Sequence, residues 1–401
     1  MDASFIVLVC VIGTALFFDF TNGFHDTGNA VAPSIATGAL KPRVAVALSA
    51  VMNLLGAFLS VAVALTVTNS VVKLQNDDGT PITELTANHG EALLLIILAG
   101  LVGGILWNML TWLLGLPSSS SHALFGGLIG ATLAAGQAVK WNGDGTKIDG
   151  VLGKIIMPAV LSPVIAGLIA AIATFVVAHL VASRDTARTD AGFRWGQIGA
   201  ASLVSLAHGT NDAQKTMGVI TLALIGYGSW TSTDSIPLWV KVVCAVAIAA
   251  GTYLGGWRII RTLSKGLVDI TRPQGMSADG ASAAVILASS HLGFALSTTQ
   301  VASGSILGSG VGRPGAHVRW SVAGRMVLAW LTTLPAAGLA GALMWWIGDV
   351  LGGLAGPLVV MALLLVGAGG MFYQSRHHAV THHNVGEVWD GGPKVRKSKV
   401  G

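Results

Sequence analysis

Charge is scarce in this sequence: Asp, Glu, Lys and Arg make up 10% of its 401 residues, well below the level usual in soluble domains. Cysteine is scarcer still. Cys10 and Cys244 both sit inside apolar segments and form no spaced set, so neither a disulfide nor a zinc framework is expected. No H-E-x-x-H, G-x-S-x-G or G-x-x-x-x-G-K-[ST] occurs, which removes the zinc-peptidase, serine-hydrolase and Walker-type ATPase signatures, and no enzymatic activity is expected. Nucleic-acid binding would need a soluble basic face, which the chain does not offer.

Apolar residues are what the chain has in excess. They make up 53% of it, with 53 glycines and a mean hydropathy of +0.71, and identify an all-α integral membrane protein. Runs at Ser4 to Phe18, Val44 to Val67, Ala92 to Leu116, Ile155 to Val181, Trp239 to Trp257, Met326 to Ile347 and Leu354 to Met371 approach or reach the length that crosses a hydrocarbon core of about 30 Å. The first run lacks a basic segment before it and reads as a span, not a cleaved signal.

Lys and Arg gather at Lys41/Arg43, Arg184/Arg188/Arg194, Arg258/Arg261/Lys265/Arg272, Arg313/Arg319/Arg325 and Lys394/Arg396/Lys397/Lys399. The positive-inside rule places these stretches in the cytoplasm and the acidic loop "QNDDGTPITELTANHGE" on the other side. The expected location is the plasma (inner) membrane, multi-pass.

The polar stretch "ASRDTARTDAGFR" lies near the middle of the chain, and the sequences around it repeat. "NGFHD" (Asn22 to Asp26) has its counterpart in "HGTND" (His208 to Asp212) at an offset of 186, and "GLPSSSSHALFGGLIG" (Gly115 to Gly130) in "GFALSTTQVASGSILG" (Gly293 to Gly308) at an offset of 178. The second match aligns Ser119, Ser120 and Ser121 with Ser297, Thr298 and Thr299, and Gly126/Gly130 with Gly304/Gly308. Two polar interruptions per half, in the same order, mark a duplicated transporter fold with its site where the repeats meet. The expected division is a first repeat over 1–182 with a re-entrant hairpin near 116–136, a linker at 183–194, a second repeat over 195–373 with a hairpin near 281–311, and a polar tail at 374–401. Inversion of the repeats is favoured over parallel duplication.

Asp26 carries a charge into apolar sequence at a cost of about 2.5 to 3.5 kcal/mol at bilayer depth. The resumption of "AVAPSIATGAL" directly after it argues for a helix broken inside the membrane around a buried or wet site. Asp212 repeats the pattern, with Asn211, Gln214 and Lys215 beside it. Lys215 could pair with either acid, since buried charges usually pair, but one lysine cannot neutralise both. One carboxylate is left for a cation or a proton. The hydroxyl runs before glycine-rich helical sequence suit an anion, which a helix N-terminus attracts through unpaired N–H groups and its dipole, although Ser, Thr and G-x-x-x-G pairs also serve helix packing. The tail holds His377, His378, His382 and His383 at metal-ligand density, yet solvated polar tails are commoner.

"NGFHDTGNAVA", "LPSSSSHALFGGLIG", "HGTNDAQKTMG" and "STTQVASGSILG", with "RMVLAWLTTLPAAGLAGAL" further on, resemble the signature segments of the Pit-type inorganic phosphate transporter family, in the same order over nearly the whole chain. The resemblance implies a secondary transporter with two inverted repeats, broken transmembrane helices and two re-entrant helical hairpins around phosphate and its coupling ions. Carried over by residue, it implies that Asn29, Ser119, Ser120, Ser121, Gln214, Lys215, Ser297, Thr298 and Thr299 bind phosphate, and that Asp26, Asn211 and Asp212 serve the coupling cation or proton. No cofactor is implied. Phosphate is the substrate, H+ or Na+ the coupling ion, and a divalent metal could travel with phosphate; the partners are the lipid bilayer and, as an open expectation, a second copy in a homodimer.

The wording of both acidic motifs is closer to the proton-coupled bacterial members than to the sodium-coupled branch. Ala295, Leu296 and Gln300 stand where the family's second hairpin usually carries proline, valine and histidine, which bears on proton handling. Sodium coupling, transport of a related oxyanion such as sulfate, and a cation channel or exchanger built on the aspartates alone remain as alternatives.

Overall fold

The structure, a computed structural model, describes residues 2–70, 83–142, 149–181, 186–377 and 379–386. Residues 75–82 of the acidic loop, Arg184 of the central linker, His378 and the basic end of the tail lie outside the described residues. The first half contributes α1 (Ala3–Ala36), α2 (Pro42–Gly56), α3 (Ala62–Ser70), α4 (Thr83–Leu114), α5 (Ser120–Ala134) and α6 (Met157–Val181), the last entered through a π-helical turn at Leu152–Ile156. The second contributes α7 (Thr186–Tyr227), α8 (Leu238–Leu254), α9 (Trp257–Lys265), α10 (Arg272–His291), α11 (Thr298–Val311) and α12 (Trp320–Leu351), followed by α13 (Ala355–Arg376). The linker expected over 183–194 is therefore helical from Thr186 onward.

Among the described residues, five stretches are long and apolar enough to cross a membrane: α1, Ala87–Leu114 of α4, Leu152–Val181, α12 and α13. A sixth crossing is available from α8 and α9 taken together, bent by 65°. The run expected over Val44 to Val67 is likewise divided, between α2 and α3.

The two halves repeat one another's contacts. α8 and α9 pack on α1 as α2 and α3 pack on α7; α4 lies against α1 as α10 lies against α7; and α5 packs on α12 as α11 packs on α6. The equivalent helices α1 and α7 run antiparallel. At one end the rings of Phe5 and Tyr227 are 6.4 Å apart, and at the other the Thr37 hydroxyl donates to Gln197 Oε1 at 2.8 Å. That second end is basic: Arg194 donates to the Ala39 carbonyl, Lys265 to the Ala36 carbonyl and Arg319 to the Lys265 carbonyl. It is the end that the positive-inside rule assigns to the cytoplasm.

Glycine allows this closeness. A Cβ on Gly23 would strike the Ile248 carbonyl of α8, and one on Gly209 the Asn53 carbonyl of α2, so the residues paired between the halves serve equivalent helix crossings. Gly126 and Gly130 of α5 meet Leu334 and Gly338 of α12, and Gly304 and Gly308 of α11 meet Pro163 and Gly167 of α6. The hairpin turns repeat too: Gly115 and Gly293 adopt φ of +67° and +70° where α4 and α10 have just ended, a left-handed conformation that glycine takes without steric cost.

The structure corrects one expectation. α1 and α7 do not break at Asp26 and Asp212 but pass through them as continuous helices. The breaks lie in α2/α3 and α8/α9, within α4 at Ala87 to Gly90, and at the tips between α4 and α5 and between α10 and α11. The acids do not need an unwound backbone of their own because the hairpin tips bring polar partners to them.

Candidate functional site

All twelve residues carried forward from the sequence are buried, none more than 2% exposed, and most of them join one buried polar cluster, here called the chamber, where α1, α7 and the two hairpin tips meet. α1 supplies Asp26 from a stretch buried without interruption from His25 to Ser34, which also includes Asn29. Ser120 donates its hydroxyl to Asp26 Oδ2 at 2.6 Å, and Thr299 donates to Oδ1 at 3.3 Å. Asn29 Nδ2 donates to the Thr299 hydroxyl at 3.0 Å. His25 places Nδ1 2.5 Å from Asp26 Oδ1, while its Nε2 lies 3.4 Å from both the Thr111 and Ser118 hydroxyls.

On the other side α7 supplies Asp212. Lys215, one turn along, forms an ion pair with its Oδ1, and Thr298 donates to its Oδ2 at 2.9 Å. His208, one turn before, brings Nε2 to 2.9 Å of Oδ2 and is anchored through Nδ1 to Asn53 Oδ1 at 3.0 Å. Lys215 Nζ also donates to the Ser121 hydroxyl at 2.5 Å and to the Leu296 carbonyl at 2.9 Å.

The tips therefore cross. Ser120 and Thr298, aligned in the repeat, each bond the acid of their own half, while Ser121 and Thr299, the next aligned pair, reach Lys215 and Asp26 of the opposite half. Ser119 and Ser297 act on the backbone instead. They are the N-caps of α5 and α11, accepting the His122 and Gln300 backbone N–H groups at 3.1 and 3.3 Å. Capping fixes two helix N-termini, each with its unpaired donors and positive dipole end, at the chamber.

Gln214, expected to bind phosphate, and Asn211, expected to serve the coupling cation, each tie α7 to a neighbouring element. Gln214 Oε1 accepts the backbone N–H groups of Val63 and Ala64 at 2.9 and 3.2 Å, and so caps α3. Asn211 Nδ2 donates to the Ser290 hydroxyl at 2.9 Å and the Phe294 carbonyl at 3.3 Å, tying α7 to the second hairpin. A side chain inside a motif marks the site's neighbourhood, but its helix face decides what it touches.

Sequence reasoning did not assign His25 and His208. Both lie within the quoted motifs, but at different distances before their acids, so alignment of the halves does not superpose them; asking which titratable side chains share a helix face with each acid would have found His208. Single ligand atoms of Asp26, His208 and Asp212 lie within 4.8 Å of one another, close enough to share a cation. The described tail histidines are not part of that group: His382 lies against Trp257 and His383, and His377 against Tyr373.

Against known proteins, residues 22–341 match the phosphate transporter family. The chain belongs to that family. It is a multi-pass membrane protein and not an enzyme. It is 57% identical over 394 residues to a probable low-affinity inorganic phosphate transporter of Mycobacterium tuberculosis (strain ATCC 25618 / H37Rv), covering 98% of this chain and 89% of the relative. It is 42% identical over 347 residues to a protein of the same description from Bacillus subtilis (strain 168), covering 86% and 98%. Among solved structures, the sodium-dependent phosphate transporter superposes with a TM-score of 0.73 at 20% identity over 86% of this chain and 99% of that one. At that identity the likeness is one of fold, and it does not choose a coupling ion.

Proposed function

We infer that this member of the family imports inorganic phosphate by cation symport, with protons as the coupling ion. What supports the reading is the convergence of two helix N-termini, the Ser120, Ser121, Thr298 and Thr299 hydroxyls and Lys215 on a buried pair of carboxylates. Donors without countercharge suit phosphate, and carboxylates suit the cations that must accompany it. Each net negative charge carried inward against an inside-negative potential costs about 2.3 kcal/mol per 100 mV, so a dianion needs such company.

The hydrogen bonds suggest how the two substrates are linked. Ser120 and Thr298 now donate to carboxylates. A proton on either acid turns that acceptor into a donor and releases the hydroxyl proton toward a phosphate oxygen. Proton and phosphate then favour each other's binding, which is the reciprocity that symport requires. Asn29 and Lys215 complete the anion shell. Ser119 and Ser297 act through the helix ends they cap, and the antiparallel course of α1 and α7 supports inversion of the repeats.

His25 at 2.5 Å from Asp26 favours the proton: an imidazole held against a carboxylate is a proton-binding pair, whereas a sodium cage would be built from oxygens. Asp26, His208 and Asp212 would hold a divalent metal if it travels with phosphate. The test is phosphate uptake by the full chain in proteoliposomes under an inward pH gradient without sodium. Uptake there, insensitive to excess sulfate, is expected. Uptake only with a sodium gradient would overturn the choice of ion, and competition by sulfate the choice of anion.

A further inference from the structure

Two turns before Asp26 on α1 lies a third carboxylate that the chamber does not use. Asp19 is fully buried, and neither of its oxygens has a hydrogen-bond partner among the described residues. Seven residues of helix set it about 10 Å from Asp26, toward the end of α1 opposite the basic one. Asn22, one turn on at i+3, and Asp26 at i+7 share its face, and Asn22 is buried with an Oδ1 that has no partner. Across the interface the buried Thr216 hydroxyl of α7 is the side-chain donor directed at the Asp19 carboxylate, at a geometry too loose for a full hydrogen bond. Other titratable groups facing Asp19 are the Asp212–Lys215 pair of α7 and Cys244 of α8. Lys215 is committed to Asp212, Ser121 and Leu296, which leaves Asp19 without a cationic side chain of its own among these neighbours.

The duplication does not explain this acid. At the offset that pairs Asp26 with Asp212, Asp19 corresponds to Ser205, whose hydroxyl simply bonds the Ala201 carbonyl at 2.8 Å. A carboxylate added to one half only, and left with unpaired oxygens from two helices around it, is costly unless something occupies it.

We propose that Asp19, Asn22 Oδ1 and the Thr216 hydroxyl form a second station for a monovalent cation, H+ or Na+, between the phosphate chamber and the outer face. The proposal rests on the symport reading above. A cation here neutralises the stranded carboxylate and lies on the side from which coupling ions arrive, so it enters the stoichiometry of the cycle.

The measurement is the phosphate accumulation ratio and the cation flux per phosphate in proteoliposomes, for the parent chain, Asp19→Asn and Asp19→Glu. One arm imposes a tenfold pH gradient without sodium, the other a tenfold sodium gradient at clamped pH. Losing one cation per phosphate at a tenfold gradient lowers the accumulation limit about tenfold. Asp19→Asn is expected to show that drop in the arm whose ion uses the station, with one cation fewer per phosphate, and Asp19→Glu to keep the parent ratio. Asp19→Asn at the parent ratio in both arms overturns the station. Should that variant fail to fold, Thr216→Val decides: a several-fold rise in the half-saturating cation concentration supports the station, and an unchanged value overturns it. A parent chain that accumulates no phosphate in either arm refutes the symport reading instead.

Discussion

Asp26 and Asp212 occupy equivalent places in two halves that pack alike, yet their company differs. Asp212 has a lysine, an imidazole and one hydroxyl; Asp26 has an imidazole and two hydroxyls. The two acids share a frame of crossed hairpin tips and glycine contacts, but Asp212 is the partner of a fixed cation, Lys215, and on the proposed symport reading Asp26 is the seat for a mobile one. Asp212 pairs with Lys215, whereas the partners of Asp26 are His25 and two hydroxyls, an environment that on the symport proposal has room for a coupling cation.

The contrast can be broken most sharply at Asp212. Asp212→Asn leaves Lys215 buried and uncompensated, and removing one member of such a pair costs about 3–5 kcal/mol; thermal unfolding of the detergent-solubilised protein should show this loss, with Lys215→Met in the same chain recovering most of it. Asp26→Asn keeps an acceptor for one of Ser120 and Thr299 and offers its amide N–H to the oxygen of the other hydroxyl; it should leave the unfolding midpoint near that of the parent while phosphate uptake falls to background. Equal losses of stability from both substitutions would show that the acids are interchangeable after all.

Smaller effects test the shared frame. Gly23→Ala and Gly209→Ala each drive a methyl group into a facing carbonyl, and overpacking of this kind costs about 1–3 kcal/mol. Matching falls in unfolding midpoint are expected; a fall for one only would mean that the two crossings are not equivalent. Smallest is Gln214→Leu, which removes the cap of α3 at a cost of about 0.5–2 kcal/mol. It should lower stability with little change in the half-saturating phosphate concentration, unlike Lys215→Met, which should raise it.

Much of this frame is readable in the sequence because close packing leaves a positional record. Gly126 and Gly130 align with Gly304 and Gly308 in the repeat, and they meet equivalent partners in space. Ser120 and Thr298 align likewise, and each grips the acid of its half. The continuity of α1 and α7 was not readable. A polar stretch in an apolar run says that its groups need partners, but not whether those come from an unwound backbone or from another element's side chains. The same limit hid the cap made by Gln214 and the isolation of Asp19, since burial and missing partners are properties of the packed helices alone.

Phosphate and a proton bind together, on this account, because one carboxylate exchanges its hydroxyl donors for the proton. Calorimetric titration of the purified protein with phosphate, in sodium-free buffers of different ionisation enthalpy at one pH, counts the protons exchanged on binding. Net proton uptake with the parent chain, reduced or abolished in Asp26→Asn, is the predicted result. Phosphate binding with no proton uptake in the parent, or with the same uptake in Asp26→Asn, would contradict the account.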